Sequence, residues 1–303
     1  MMSDATEILR YAAFSADPEG GNPAGVVLDA SGLDDAAMQR IAAEVDYAET
    51  AFITGERGGS KVVRFFSPIA EVPFCGHATI AAAIALAERN GPGTVRFDTP
   101  VGEIVIETTA DADGILAAFT SVDTDLAPLG EFVLEALLEL LGLDRTDLDA
   151  GFPPRLAYAG TWHPVIVLAD PATFDGFTFD PGAVRTLIDA QGWPTTITVL
   201  HPLGRHAGAS GSGSAGPGEV VARFEARNLF PVGRITEDPA TGAAAAAVGG
   251  YLRGLGLVEP PARIVIEQGR HVGRPSELTV DIPERGGIVV SGRAVRIAAP
   301  VVE

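Results

Sequence analysis

One short spelling occurs twice in this chain, and each copy runs into a helix with no polar side. Glu71-Val-Pro-Phe-Cys-Gly-His-Ala precedes the segment 79–90, and Glu237-Asp-Pro-Ala-Thr-Gly-Ala-Ala opens the segment 241–252. Laying Gly76 over Gly242 also aligns Glu71 with Glu237, Pro73 with Pro239 and Ala78 with Ala244, so both copies read E-x-P-x-[CT]-G-x-A. Upstream of each, an arginine lies four residues before a proline, Arg64 to Pro68 and Arg227 to Pro231. The copies stand 166 residues apart, too far for a solenoid unit. The chain is therefore expected to hold two similar domains, each with one special turn feeding one helix.

A helix that is apolar all round belongs in the centre of a domain. Its first N–H groups have no intrahelical partner, and its dipole places roughly half a positive charge there. Gly76 and Gly242 let a ligand come close to that backbone. Each half thus offers an anion site at a buried helix N-terminus, and the expected ligand is a small molecule bearing a carboxylate.

A length of 303 residues suits two domains of about 150. With 21 basic and 40 acidic residues the net charge is −19, which argues against nucleic acid or an anionic membrane as partner. The start, Met-Met-Ser-Asp-Ala-Thr-Glu, has no basic-then-apolar signal pattern, and no apolar run approaches a membrane span. Cys75 is the single cysteine, so no intrachain disulfide forms and a cytoplasmic setting is expected.

Periodicity predicts strands at 7–14 and 24–29 around the turn Glu19-Gly-Gly-Asn-Pro23, a helix at 34–45, and strands at 51–54 and 61–67. The strand 61–67 arrives at the first special turn, and strands at 94–99, 102–109 and 115–120 follow the buried helix. After a break at 121–128 come a helix at 131–141, strands at 155–159, 164–169 and 195–200, and a helix at 181–190. The alternating strand 219–227 enters the second special turn, with strands at 263–267, 277–282, 288–291 and 294–298 beyond it. The expected class is α+β: an N-terminal lobe, 1–120, joined by a returning strand at 292–303, and a C-terminal lobe, 121–291. Each is strand-rich and mostly antiparallel around a central helix.

Two look-alikes carry no chemistry. Gly211-Ser-Gly-Ser-Ala-Gly216 spells a dinucleotide fingerprint, but a strand pattern follows it rather than a helix, so 208–218 is expected to be a flexible Gly/Ser loop. Asp170-Pro-Ala-Thr173 repeats the letters of Asp238-Pro-Ala-Thr241 but runs into Phe174-Asp175, and a plain turn is expected. There is no H-E-x-x-H, no cysteine pair and no acidic cation loop among five scattered histidines, so neither a metal nor a cofactor is expected.

The candidates that remain lie at the special turns. Cys75 is either a small buried residue or a thiol whose pKa a helix dipole lowers. His77 is either structural or a neutral imidazole that donates to a substrate. Asp238 is either an N-terminal cap or a substrate contact. Glu49, by pattern alone, reads as a solvated glutamate.

Gly21-Asn-Pro-Ala-Gly-Val-Val, Ala48-Glu-Thr-Ala-Phe, Arg64-Phe-Phe-Ser-Pro, Cys75-Gly-His-Ala-Thr, Glu237-Asp-Pro-Ala-Thr-Gly and Gln268-Gly to Gly273-Arg-Pro-Ser stand in the order of the phenazine-biosynthesis PhzF-like isomerases. The chain resembles that family over nearly its whole length. The resemblance implies a diaminopimelate epimerase-like fold: two lobes, each a barrel around a central helix, with the active site in the cleft between them. It implies Glu49 as general acid/base, and His77 and Asp238 as residues that hold and polarise the substrate. Asn22 corresponds to a pocket position, and Gly76 and Gly242 to turns that bind the substrate carboxylate. Cys75, Thr241 and Ala243 are expected to line the pocket with them. A homodimer is expected from relatives. Ala243 stands where the family often has serine, which removes a hydroxyl donor and makes poor activity on the phenazine precursor the expectation.

Two-thiol racemisation, as in diaminopimelate epimerase and proline racemase, needs a second cysteine where this chain has Thr241. A carboxylate enclosed in a partly apolar cleft has its pKa raised toward neutrality and can then carry a proton both ways. The expectation is a cofactor-independent isomerase. The alternatives are an epimerase using Cys75 with Glu49, or a non-catalytic binding protein.

Overall fold

Alternating apolar residues make strands of much of the first 120 residues, and one run of alanines and isoleucines makes the helix that they cover. A computed structural model describes residues 6–193, 195–204, 218–231 and 235–298. Cα packing divides the chain into two compact units, 1–120 with 291–303, and 121–290.

In the first unit β1 (Leu9–Ala13) and β2 (Asn22–Val27) are antiparallel. Helix α1 (Asp35–Val45) crosses over to β3 (Glu49–Arg57), which runs parallel to β2 with Ala24 opposite Glu49. The Asp34 side chain caps α1 by accepting from the Ala37 N–H at 2.7 Å. Strand β4 (Ser60–Phe66) pairs with β3 and with the two-residue β5 (Glu71–Val72), both antiparallel. Helix α2 (Gly76–Asn90) then crosses over to β6 (Thr94–Thr99), parallel to β4. Strands β7 (Gly102–Asp111) and β8 (Gly114–Thr120) complete a meander. The last strand of the chain, Val289–Arg296, pairs with both β1 and β8, so the circuit of strands closes. Every residue of α2 from His77 to Ala87 is buried, and the helix packs on β1, β2, β3, β7 and β8.

The second unit repeats that order around its own special turn. It begins with β9 (Asp125–Pro128), α3 (Glu131–Leu141), β10 (Arg155–Tyr158) and β11 (Trp162–Val167). Helices α4 (Pro171–Gly176) and α5 (Pro181–Gln191) lead to β12 (Ile197–Pro202), parallel to β11. Strand β13 (Val220–Leu229) pairs antiparallel with β12 and with the two-residue β14 (Glu237–Asp238). Helix α6 (Gly242–Gly254) crosses over to β15 (Ala262–Gln268), parallel to β13, and β16 (Ser276–Ile282) returns antiparallel. Leu134, Leu137, Leu138 and Leu141 of α3 meet Val184 and Ile188 of α5, with Phe174 and Trp193, in one core. Helix α6 is buried from Ala244 to Leu252 and packs on β9, β10, β11 and β16.

Three local expectations need correcting. Segments 288–291 and 294–298 are one strand, because Gly292 makes no turn; a Cβ there would lie 2.2 Å from the Phe14 ring, so its bareness admits that ring. The segment 121–128 contains β9. Asp170-Pro-Ala-Thr173 starts a short helix, not a plain turn, because the Asp170 carboxylate accepts from the Thr173 N–H at 2.8 Å and Pro171 suits a first helical position. The Gly/Ser segment, apart from Gly218, lies outside the described residues. No helix among the described residues is long and apolar enough to cross a membrane.

Candidate active site

In the first unit, parallel pairing of β2 with β3 puts Asn22 and Glu49 at neighbouring strand starts, and α2 begins beside them. Cys75 occupies the N-cap position in extended conformation, but its side chain makes no cap hydrogen bond. The thiol instead lies 3.4 Å from Glu49 Oε2, to which it donates, and 3.3 Å from His77 Nδ1. His77 Nε2 is 3.4 Å from the same Glu49 oxygen, and Asn22 Nδ2 is 3.1 Å from His77 Nδ1. Burial pushes His77 down to about 3, against the smaller upward pull of a bond to the Pro23 carbonyl, so the ring is neutral near pH 7. One carboxylate, one thiol and one neutral imidazole therefore converge at the start of a buried helix.

In the second unit Asp238 lies in β14, opposite Asn228 of β13. Thr241, not Asp238, is the N-cap residue of α6, so the capping role does not hold. The Thr241 hydroxyl donates to Asp238 Oδ2 at 2.5 Å. Gly242 is the first residue of the helix and is buried, and Ala243 follows it. Gln268, at the end of β15, closes the turn: its Nε2 donates to the Asp238 carbonyl at 2.6 Å and to Thr241 Oγ1 at 3.0 Å.

Behind that turn runs a buried polar chain that periodicity does not show. Asn228 Nδ2 donates to Gln268 Oε1 at 2.8 Å, while Asn228 Oδ1 accepts from the hydroxyls of Thr198 at 2.7 Å and Thr196 at 3.1 Å. Thr196 Oγ1 is 3.1 Å from His163 Nδ1, and burial pushes His163 down to about 4. The available signal was polar residues inside apolar strands: Thr196 and Thr198 in a run ending in Val199-Leu200, and Asn228 before Leu229.

Each special turn is also held by its arginine. Arg64 donates to both oxygens of Glu71 and to Asp35, and Arg227 donates to both oxygens of Glu237 and to the Phe174 and Phe177 carbonyls. Among the described residues, two groups of side chains offer ligand atoms within 4.8 Å of one another: Glu49, Cys75 and His77, and Asp175, Glu225 and His271. The first is a donor set of the kind zinc accepts. In the second, Arg270 donates to Asp175 at 2.5 Å and to Glu225 at 2.7 Å, so a guanidinium already neutralises the carboxylates a cation would need.

The closed, sheet-rich fold is of the class seen in PhzF-family and epimerase-like proteins. Among solved structures, a PhzF-family phenazine biosynthesis protein of Bacillus anthracis superposes with a TM-score of 0.81 at 23% identity, covering 96% of each chain. A model of the phenazine biosynthesis-like protein family, PhzC-PhzF, matches residues 11–299, and the chain belongs to that family. An uncharacterized isomerase of Deinococcus radiodurans is 33% identical over 288 residues, 93% of this chain and 88% of the relative. The trans-2,3-dihydro-3-hydroxyanthranilate isomerase of Pseudomonas chlororaphis is 31% identical over 268 residues, 87% of this chain and 86% of the relative. The chain is an enzyme, an isomerase by this kinship.

Proposed function

We propose that this isomerase relocates a proton on a small carboxylate-bearing substrate by general acid/base catalysis without a cofactor, and that Glu49 carries the proton. The observation that supports this most is the double approach to Glu49 Oε2, by the Cys75 thiol and by His77 Nε2, in an enclosed site where His77 is neutral. In the step proposed, a C–H bond of the substrate breaks as a Glu49 O–H bond forms, and the electron pair shifts the neighbouring double bond. Glu49 then returns the proton to a different carbon. His77 holds and polarises the substrate through its N–H. Asn22, Cys75 and Gly76 in the first unit, and Asp238, Thr241, Gly242 and Ala243 in the second, are proposed substrate contacts. We also infer that the two units are copies of one strand-rich lobe, because strand, two-residue strand, buried helix and parallel strand recur in that order about α2 and α6.

The test is deuterium uptake at carbon from deuterated water across a panel of cyclic and unsaturated carboxylates. Glu49→Gln is expected to slow uptake by roughly 10²–10⁴-fold, and Cys75→Ala to keep most of the rate, with circular dichroism verifying both folds. Dialysis against a chelator is expected to leave the rate intact. The closeness of Cys75 to Glu49 and His77 supports one competing reading, a thiol–carboxylate epimerase. Loss of exchange in Cys75→Ala with retention in Glu49→Gln would establish it. On trans-2,3-dihydro-3-hydroxyanthranilate, the compound named for the Pseudomonas relative, Ala243 predicts weak turnover that Ala243→Ser raises.

A further inference from the structure

The polar chain behind the second special turn has a direction, and the backbone sets it. The Asp238 carbonyl can only accept and the Thr241 N–H can only donate. Gln268 meets the first with Nε2 at 2.6 Å and the second with Oε1 at 3.4 Å. Turning the amide over would press two oxygens together at the shorter contact, so the orientation of Gln268 is settled without reference to its other neighbours. Asn228 must then present its Nδ2 to Gln268 Oε1, which leaves its own Oδ1 to accept from Thr196 and Thr198. The Thr196 hydroxyl spends its proton on Asn228, and the buried, neutral His163 ring lies beside it, with Nδ1 3.1 Å from Thr196 Oγ1 and 2.9 Å from Thr195 Oγ1.

At the other end the same logic reaches Asp238. Gln268 Nε2 donates to Thr241 Oγ1 at 3.0 Å, so the hydroxyl proton of Thr241 turns to Asp238 Oδ2, 2.5 Å away. Every donor from Thr196 onward therefore points toward one carboxylate, and a hydrogen bond given to a carboxylate favours its ionised form. Of the other ionisable side chains on the flanking elements, Arg227 pairs with Glu237 and Arg270 with Glu225 and Asp175, while His271, whose pKa burial lowers, lies 3.2 Å from Asp175 Oδ1.

We propose that Gln268 is a positioning residue that, by fixing the Thr241 hydroxyl, holds Asp238 as a carboxylate that accepts hydrogen bonds from a substrate. The proposal rests on the reading of Asp238 as a substrate contact, but its test needs no substrate. The Asp238 carboxyl carbon is followed by NMR through a pH titration of the whole protein. Thr241→Val, which keeps the shape and removes the donor, is expected to raise the Asp238 midpoint by ~1 unit, and Thr241→Ser to restore it. Gln268→Leu is expected to raise it by less, and to add nothing when Thr241 is already valine, because Gln268 acts through that hydroxyl. Gln268→Met serves the same purpose if the leucine variant does not fold. An unmoved midpoint in Thr241→Val overturns the proposal. So does a Thr241→Ser variant that behaves like valine, or a Gln268→Leu shift that persists in the Thr241→Val background. Failure of the deuterium test with success here would remove the isomerase mechanism and leave the positioning role standing.

Discussion

Arg64 holds Glu71 through two nitrogens at 2.7 Å, and Arg227 holds Glu237 through Nε and Nη2 in the same forked way. The sequence positions correspond, and each pair fastens a two-residue strand to the strand before it. Their surroundings differ. The side chains of the first pair are 25% and 37% exposed, and those of the second 7% and 9%. Arg64 finds its second partner in Asp35 at the start of α1, whereas Arg227 donates to the carbonyls of Phe174 and Phe177 and lies 3.7 Å above the Phe177 ring. One spelling has thus produced a wet clamp and a dry one. The wet clamp is screened and contributes little. The dry one has lost its water and must keep every partner. The turns diverge in the same sense: the first carries a thiol and an imidazole in contact, Cys75 and His77, and the second carries a carboxylate ordered by hydroxyls and amides.

The comparison is sharpest where a clamp is cut. Arg227→Met leaves Glu237 buried without its cation and is expected to cost about 3–5 kcal/mol, measured as a shift in the urea midpoint at constant slope. A loss below about 1 kcal/mol would show that water reaches the second clamp after all.

A smaller effect distinguishes the two buried histidines. Burial holds His77 at about 3 and His163 at about 4, against 6.5 in an unfolded chain. Below pH 6.5 the unfolded chain binds protons that the folded one refuses, so stability is full above 6.5 and falls as pH drops toward 4. At pH 5 each histidine is expected to cost about 2 kcal/mol. The ion-paired carboxylates Asp35, Asp111 and Asp175, whose pKa values partners hold below 3.8, act only at lower pH. Urea midpoints between pH 7.5 and 5 are expected to flatten by one histidine's share in His163→Gln and by the other's in His77→Gln.

The two central helices differ in bulk. Where α2 has Ala83 and Ile84, α6 has Gly249 and Gly250, and a Cβ on Gly250 would lie 2.7 Å from Thr124 Cβ. Gly250→Ala gains helix propensity of about 1 kcal/mol but overpacks by about 1–3 kcal/mol. A net loss near 1 kcal/mol in thermal unfolding is expected, and a gain would mean that Thr124 can retreat. Smallest of all, Arg64→Met is expected to cost about 0.2–1 kcal/mol, and to do so less at high salt.

Much of this molecule was legible because it depends on local periodicity. The apolar faces of 79–90 and 241–252 predict buried helices, and α2 is buried from His77 to Ala87 and α6 from Ala244 to Leu252. The leucine spacing of 131–141 predicts α3 to the residue. Glu49 was different. Its neighbours suggest only a solvated glutamate, and the family resemblance, not periodicity, singled it out. The parallel register of β2 on β3 brings it to Cys75, 26 residues away. Asp170 was misjudged because its cap depends on a single side-chain bond that leaves no periodic trace.

The sequence by itself determined the two special turns, the helices they feed and the residue inventory that rules out a second thiol, since each is a matter of residue type and short spacing. Tertiary structure alone decided which arginine clamp is dry. It also decided that Gln268, Asn228, Thr196, Thr198 and His163, from separate stretches of the chain, share one hydrogen-bond chain. Burial and hydrogen-bond direction depend on what the rest of the chain packs around a residue, and no local pattern encodes that.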